Sequence, residues 1–293
     1  MHTHTLENEF LRITVADKGA ELSSVWDKEN NVERLWYADP AIWNRHAPIL
    51  FPFVGRVFGG CYRTDGQEFP MKTQHGFARD REFLCLEESA QAVTHRLCAD
   101  DGTLSLYPYD FSLTVRHSLD PVHPRLLHVG WTVNNRGKSL MRYAIGGHPG
   151  FMPPEGLTKE QCLLSFPGQE LLRYFSVNSA GYALPEIVKT LNLRNGLTAY
   201  QADIPDTWIF SDAQVQHVCI ARPDGSPYVT LHCEDFPFLA VWANAKGPYI
   251  CLEPWFGRTD DEGFTGSLAE KPGMELLAPG ESKDYHYSIE FHF

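Results

Sequence analysis

The sequence predicts an all-β fold, a large antiparallel β-sandwich or barrel, on three grounds. Apolar and polar residues alternate with period two along most of the chain. Sustained helical periodicity is absent. The apolar runs also follow one another closely, with no helices between them to carry parallel crossovers. In chain order, LRITV at 11–15, FSLTV at 111–115 and LLHVGWTV at 126–133 each combine β-branched or aromatic residues with alternation. A short helix is expected near Leu157–Leu164, and Asn195–Pro205 reads as polar loop. The pattern resumes in YVTLHC at 228–233, FLAVWA at 238–243, YICLE at 249–253 and YHYSIEF at 285–291. Between VCIA and YVTL, Pro223-Asp224-Gly225-Ser226 is a hairpin signal. No repeat or low-complexity linker divides the 293 residues, so one domain is expected.

Composition narrows the function. A 43% apolar, aromatic-rich chain can bury a large core, and a formal charge of −12 argues against a nucleic-acid or anionic-membrane partner. No apolar run approaches a membrane span, and MHTHTLENEF lacks the apolar core of a signal peptide. Seven cysteines occur without a C-x-x-C pair. A reduced, cytoplasmic protein with buried free thiols is expected, with Cys85, Cys219 and Cys251 in the core.

No G-x-S-x-G, H-E-x-x-H, P-loop or G-x-G-x-x-G is present. What stands out is single polar residues set among glycine, proline and aromatic neighbours. In YAIGGHPGF, His148 follows two glycines and precedes a Pro-Gly turn, which suits a turn residue or a proton carrier. A metal role would need ligands from elsewhere in the chain, since none lies within four residues. The glycines are expected to clear room for a ligand. In QHGFAR, His75 is followed by glycine and an aromatic ring, and Arg79 is either a solvated charge or an anion contact. Arg56 closes LFPFVGR, where an arginine calls for a carboxylate, phosphate or polyol. Glu253 ends an apolar strand on the face of Tyr249 and Cys251, so it is expected inside, as a raised-pKa base or in an ion pair with Arg56 or Arg258. Trp255 and other aromatics crowd these positions.

As an ordered set, LFPFVGR, QHGFAR, GGHPGF, YICLEPWFG and the late LAPGESKDYHY resemble the aldose 1-epimerases, or galactose mutarotase-like proteins, and most closely the bacterial LacX-like branch. The resemblance spans nearly the whole chain. It implies a large antiparallel β supersandwich and a cofactor-independent isomerase, without metal, that interconverts the α and β anomers of a hexose. By the same resemblance His148 is the general acid at the ring oxygen and Glu253 the general base at the anomeric hydroxyl. His75 and Arg56 bind and polarise sugar oxygens, Arg79 and Trp255 line the site, and Asp206 in IPDTWIF matches an aspartate that binds hydroxyls. The implied partner is a small sugar, and the chain acts as a monomer or homodimer.

The sequence departs from the galactose mutarotases proper. His-Gly-Gly becomes His-Gly-Phe, Asn-His-Ser becomes Gly-His-Pro, and Glu253 is followed by Pro-Trp. The residue types of the mechanism persist while their neighbours change, so galactose is not implied. Three alternatives remain open: a hexose-6-phosphate mutarotase gripping phosphate with Arg56 and Arg79, a non-catalytic sugar-binding protein, and a metal-dependent cupin-like sandwich.

Overall fold

The computed structural model describes residues 2–199 and 207–292. Among these residues the chain forms antiparallel sheets with almost no helix. A nine-stranded sheet runs, edge to edge, through Leu197–Ala199, Leu163–Ser165, His217–Ala221, Pro227–His232, Ser282–Phe291, Leu126–Asn135, Phe111–Leu119, Ala92–Cys98 and Leu84–Glu88. Facing it, a second sheet runs through Lys189–Asn192, Leu171–Phe175, Trp208–Phe210, Phe238–Trp242, Ile250–Phe256, Ile145–Gly147 and Ile49–Leu50. The short strand Gly150–Phe151 also pairs with Ile250–Phe256. A four-stranded sheet, Thr3–Glu7 to Val32–Glu33, stands beside them.

Alternation explains the layering. Leu126–Asn135 buries every second side chain, as a strand with one wet face must. In contrast, Ile250–Phe256 is buried on both faces almost to its end. Its even-numbered residues Ile250 and Leu252 join the main core between the sheets, where Phe256 meets Tyr285 with ring centroids 4.6 Å apart. Each such large apolar side chain, fully buried, stabilises the fold by roughly 1.5–3 kcal/mol. Its odd-numbered residues face the other way, toward the site described below.

The expected strands are present, and Arg222–Ser226 turns the hairpin between His217–Ala221 and Pro227–His232. Three local expectations need correction. Leu157–Leu164 holds only a single 3-10 turn, Lys159–Gln161, before the strand Leu163–Ser165. There Lys159 is buried and donates through Nζ to the carbonyls of Asn244 and Gly247, which holds the segment down in place of a helical ladder. Asn195–Pro205 is not all loop, because after a turn at Asn195-Gly196 the strand Leu197–Ala199 pairs with Leu163–Ser165; residues 200–206 lie outside the described set. Cys219 and Cys251 are buried, but Cys85 is not in the core. It sits half-buried on the edge strand Leu84–Glu88, where a bulge shifts the register and Leu84 is 63% exposed. All seven cysteines are free thiols. No helix among the described residues is long and apolar enough to cross a membrane.

Candidate functional site

A cavity of about 590 Å³ opens on the outer face of the second sheet. Its lining brings together Arg56, His75, Arg79, His148, Glu253 and Trp255 from separate stretches of chain. Asp206 lies outside the described residues.

Glu253 arrives there by strand alternation. In the register of Phe238–Trp242 against Ile250–Phe256, Glu253 sits opposite Ala240 and Cys251 opposite Trp242, so both side chains share the cavity face. Glu253 is 1% exposed. Burial raises its pKa well above the ordinary carboxylate value, only partly offset by the indole N–H of Trp255 nearby. Its titratable neighbour is neither Arg56 nor Arg258. Arg258 pairs with Asp261 at 2.5 Å, and His148 Nε2 lies 3.2 Å from Glu253 Oε2. That approach lacks the alignment of a full hydrogen bond, and Glu253 Oε2, His148 Nδ1 and Trp255 Nε1 are each buried without a hydrogen-bond partner among the described residues. Three unmatched polar atoms in one wall are what a ligand with several hydroxyls would satisfy.

His148 stands at the end of Ile145–Gly147, flanked by the rings of Trp43 at 4.9 Å and Trp242 at 5.6 Å. Burial, with Arg79 adding repulsion, lowers its pKa to about 3. The glycines before it do not clear room for a ligand, contrary to the sequence expectation. A Cβ on Gly146 would lie 2.6 Å from Trp255 Cδ1, and one on Gly147 would lie 2.9 Å from the Tyr287 hydroxyl inside the sandwich. These glycines make space for Trp255 on one face and Tyr287 on the other. Gly150 does the same for Trp43, whose Cζ3 would lie 3.1 Å from the added carbon.

His75 holds a left-handed backbone, φ 66°, a costly conformation for a non-glycine residue that clusters at functional sites. It is fixed by two contacts with Gly55. The His75 N–H donates to the Gly55 carbonyl at 2.7 Å, and the Gly55 N–H donates to His75 Nδ1 at 3.0 Å. An accepting Nδ1 places the ring proton on Nε2. Burial, then Arg79, His148 and Arg56, hold His75 well below the usual imidazole range, so it is a neutral N–H donor.

Arg56 is anchored through its backbone. Its N–H donates to Thr259 Oγ1 at 2.9 Å, Thr259 Oγ1 donates to the Gly181 carbonyl at 2.8 Å, and Gly55 cannot carry a Cβ because it would fall 2.2 Å from Thr259 Cβ. Its exposed guanidinium has no hydrogen bond or ion pair among the described residues. Arg79 Nη2 donates to the Gln74 carbonyl at 2.6 Å, and burial with Arg45 alongside lowers its pKa to about 10.

Sequence reasoning missed Arg45, which lines the cavity beside Arg79 and pairs with Asp80, and it missed Trp43, Asn44 and Asn244. The cluster of charged and aromatic residues in WNRHAP, 43–48, was the available signal. Three guanidinium groups and one carboxyl therefore line the described part of the cavity. Donor atoms of His148, Cys251 and Glu253 also lie within 4.8 Å of one another, so ligands do converge on His148 from elsewhere in the chain. Burial and Glu253 hold the Cys251 thiol well above its ordinary pKa, however, which disfavours the thiolate a metal would need.

Comparison with known proteins gives one family. The family model described as aldose 1-epimerase matches residues 2–290. The plasmid-encoded LacX protein of Lactococcus lactis subsp. lactis is 29% identical over 309 residues, covering 98% of each chain. The solved structure of a galactose mutarotase related enzyme from Lactobacillus acidophilus has a TM-score of 0.93 at 29% identity, covering 100% of this chain and 98% of its own. A galactose mutarotase-like protein from Lactobacillus casei has a TM-score of 0.89 at 28% identity, covering 99% and 100%.

Proposed function

The chain belongs to the aldose 1-epimerase family, and from that premise we propose that it interconverts the α and β anomers of an aldose by acid–base ring opening in the cavity around His148 and Glu253. The observation that carries this reading is the buried pair itself, 3.2 Å apart in the wall of a cavity with unmatched hydrogen-bonding groups. Burial pushes Glu253 up and His148 down, which favours a single proton shared between the two side chains.

With that proton on His148, the pair is ready for both halves of the reaction. Glu253 takes the anomeric hydroxyl proton while His148 protonates the ring oxygen; the bond from C1 to the ring oxygen breaks as the C1 carbonyl forms. After rotation about C1–C2 the ring oxygen adds to the other face of the carbonyl. Its proton returns to His148 and the new anomeric oxygen regains one from Glu253, leaving no net proton change. His75, neutral with its proton on Nε2, donates a hydrogen bond to a sugar oxygen. Arg56 holds hydroxyls, Trp255 and Trp43 give apolar faces for the ring, and Asp206 is proposed, on resemblance alone, to accept from hydroxyl groups. The acid and base are both side chains, so the chemistry calls for no cofactor.

A second reading is favoured by one observation. Arg45, Arg56 and Arg79 outnumber the single carboxyl of the described lining, which suits a phosphorylated hexose held by charge-assisted hydrogen bonds. Polarimetry or exchange NMR on freshly dissolved sugars tests both readings. Acceleration of at least one free aldose over buffer is expected. A large gain in kcat/KM on the 6-phosphates would assign the phosphosugar. Rates equal to buffer across both panels would sink the enzyme reading.

A further inference from the structure

A second group of histidines lies away from the cavity, where the four-stranded sheet meets the edge of the nine-stranded sheet. One carboxylate, Asp17, organises it. Asp17 Oδ1 lies 2.8 Å from His4 Nε2 and 3.1 Å from His95 Nε2, and Asp17 Oδ2 lies 3.3 Å from His2 Nδ1. Asp17 is itself fixed, its N–H donating to the His2 carbonyl and its own carbonyl accepting from the Phe83 N–H. His4 and His95 are 3% and 0% exposed.

The hydrogen bonds set the tautomers. If each ring donates Nε2–H to the shared oxygen, each Nδ1 keeps a free lone pair. Both Nδ1 atoms are buried and have no hydrogen-bond partner among the described residues. A buried, unmatched acceptor is costly to leave, and His95 Nδ1 is one; at His4, against the effect of burial, the carboxylates of Asp17 and Glu88 raise the imidazole pKa, so an entering ion displaces a proton there. Cys85 lies directly opposite His95 across the pair Leu84–Glu88 and Ala92–Cys98. Glu88 Oε2 is 2.9 Å from His4 Nδ1, too far out of line for a hydrogen bond. One donor atom each from His4, Cys85 and His95 falls within 4.8 Å of the others.

We propose that His4, His95 and Cys85, with Glu88 as fourth ligand, form a binding site for a borderline divalent transition-metal ion of the zinc class, with Asp17 orienting both imidazoles from behind. Two neutral imidazoles, one thiolate and one carboxylate are a donor set that such ions take in tetrahedral geometry. A carboxylate behind the ligating histidines is the usual outer support of such sites. Ligands on a tetrahedral ion stand roughly 3.3–3.8 Å apart, given bonds of about 2.0–2.3 Å, so the donors of His4, Cys85 and His95 must close on one another by no more than about 1.5 Å. The bulge at Cys85 and the half-exposed edge strand supply that freedom. Burial and Glu88 raise the Cys85 thiol as well, but Cys85 is half-buried where Cys251 is fully enclosed, so the entering ion can release its proton to solvent; no oxidation state changes. The bound ion ties the strand Thr3–Glu7 to the edge strand Leu84–Glu88.

Cobalt(II) titration of the chelator-treated full chain tests this, because cobalt reports a thiolate ligand by a sulfur-to-metal charge-transfer band. One equivalent is expected to bind with that band. Cys85→Ser should abolish the band while Cys251→Ser retains it, which separates this site from the donors beside His148. Asp17→Asn should weaken binding about 10–100-fold with the band shape kept. Circular dichroism and melting of each variant without metal establish that it is folded. No stoichiometric binding, a band that survives Cys85→Ser, or unchanged affinity in folded Asp17→Asn would each overturn the proposal.

Discussion

Glu253→Gln separates catalysis from folding more cleanly than any other change at the site. Glutamine matches the side chain in size, and the carboxyl it replaces is 1% exposed, with a pKa that burial raises well above the ordinary carboxylate value. Burial already disfavours the charged form, so replacing it by a neutral amide of the same size should change stability at pH 7 by less than about 1 kcal/mol. Catalysis has no such shelter, since an amide cannot accept the anomeric proton. Loss of a general base removes about 10²–10⁴-fold in rate, or roughly 3–6 kcal/mol of barrier at about 1.4 kcal/mol per decade. The assay is polarimetry on freshly dissolved sugar with urea melts run in parallel. A folded variant retaining more than a tenth of the wild-type rate would refute the assignment of Glu253. A variant strongly destabilised at pH 7 would refute burial as the dominant influence on this carboxyl.

Three further outcomes are expected. His148 and His117 are buried with pKa values lowered to about 3, so the unfolded chain binds protons there first. Stability should accordingly be full above pH 6.5 and fall by about 1.4 kcal/mol per pH unit per histidine as pH drops toward 3. Glu253 acts with the opposite sign, its contribution being complete at low pH and lost as pH rises through its raised pKa. Urea midpoints that stay flat from pH 7 to 4, in both wild type and His117→Asn, would count against this. Gly146→Ala forces a carbon to within 2.6 Å of Trp255 Cδ1 and 3.1 Å of the Pro254 carbonyl, which should cost about 1–3 kcal/mol and shift indole fluorescence. Lys271→Met leaves the buried Asp260 without its partner and should cost about 3–5 kcal/mol, most of it recovered by adding Asp260→Asn; no recovery in the double variant would deny the pair its role.

How far the sequence can be read depends on whether a residue's setting is local. Strand alternation is local, and it suffices to place Glu253 on a buried face. The same logic fails for Cys85, whose apolar run forms an edge strand carrying a bulge, a property of what does or does not pair beside it. GGHPGF is legible as a place where bulk is forbidden. The reason is not legible, because Trp255 and Tyr287 approach from more than a hundred residues away. The fixed tautomer of His75 needs the Gly55 N–H, twenty residues upstream and brought close only by a left-handed turn. Arg45 and Trp43 come from an irregular stretch with no period to read.

The place of Ser282–Phe291 has a consequence for how the protein is made. This strand lies late in the sequence yet sits in the middle of the nine-stranded sheet, pairing with Leu126–Asn135 on one side and Pro227–His232 on the other. A chain emerging from the ribosome must hold two half-sheets apart, each with an open hydrogen-bonding edge, until this strand is released to bridge them. Long-range pairing of this kind makes folding slow. Termination of synthesis between residues 136 and 281 would yield an aggregation-prone product, one that offers the unpaired edge of Leu126–Asn135 to its neighbours.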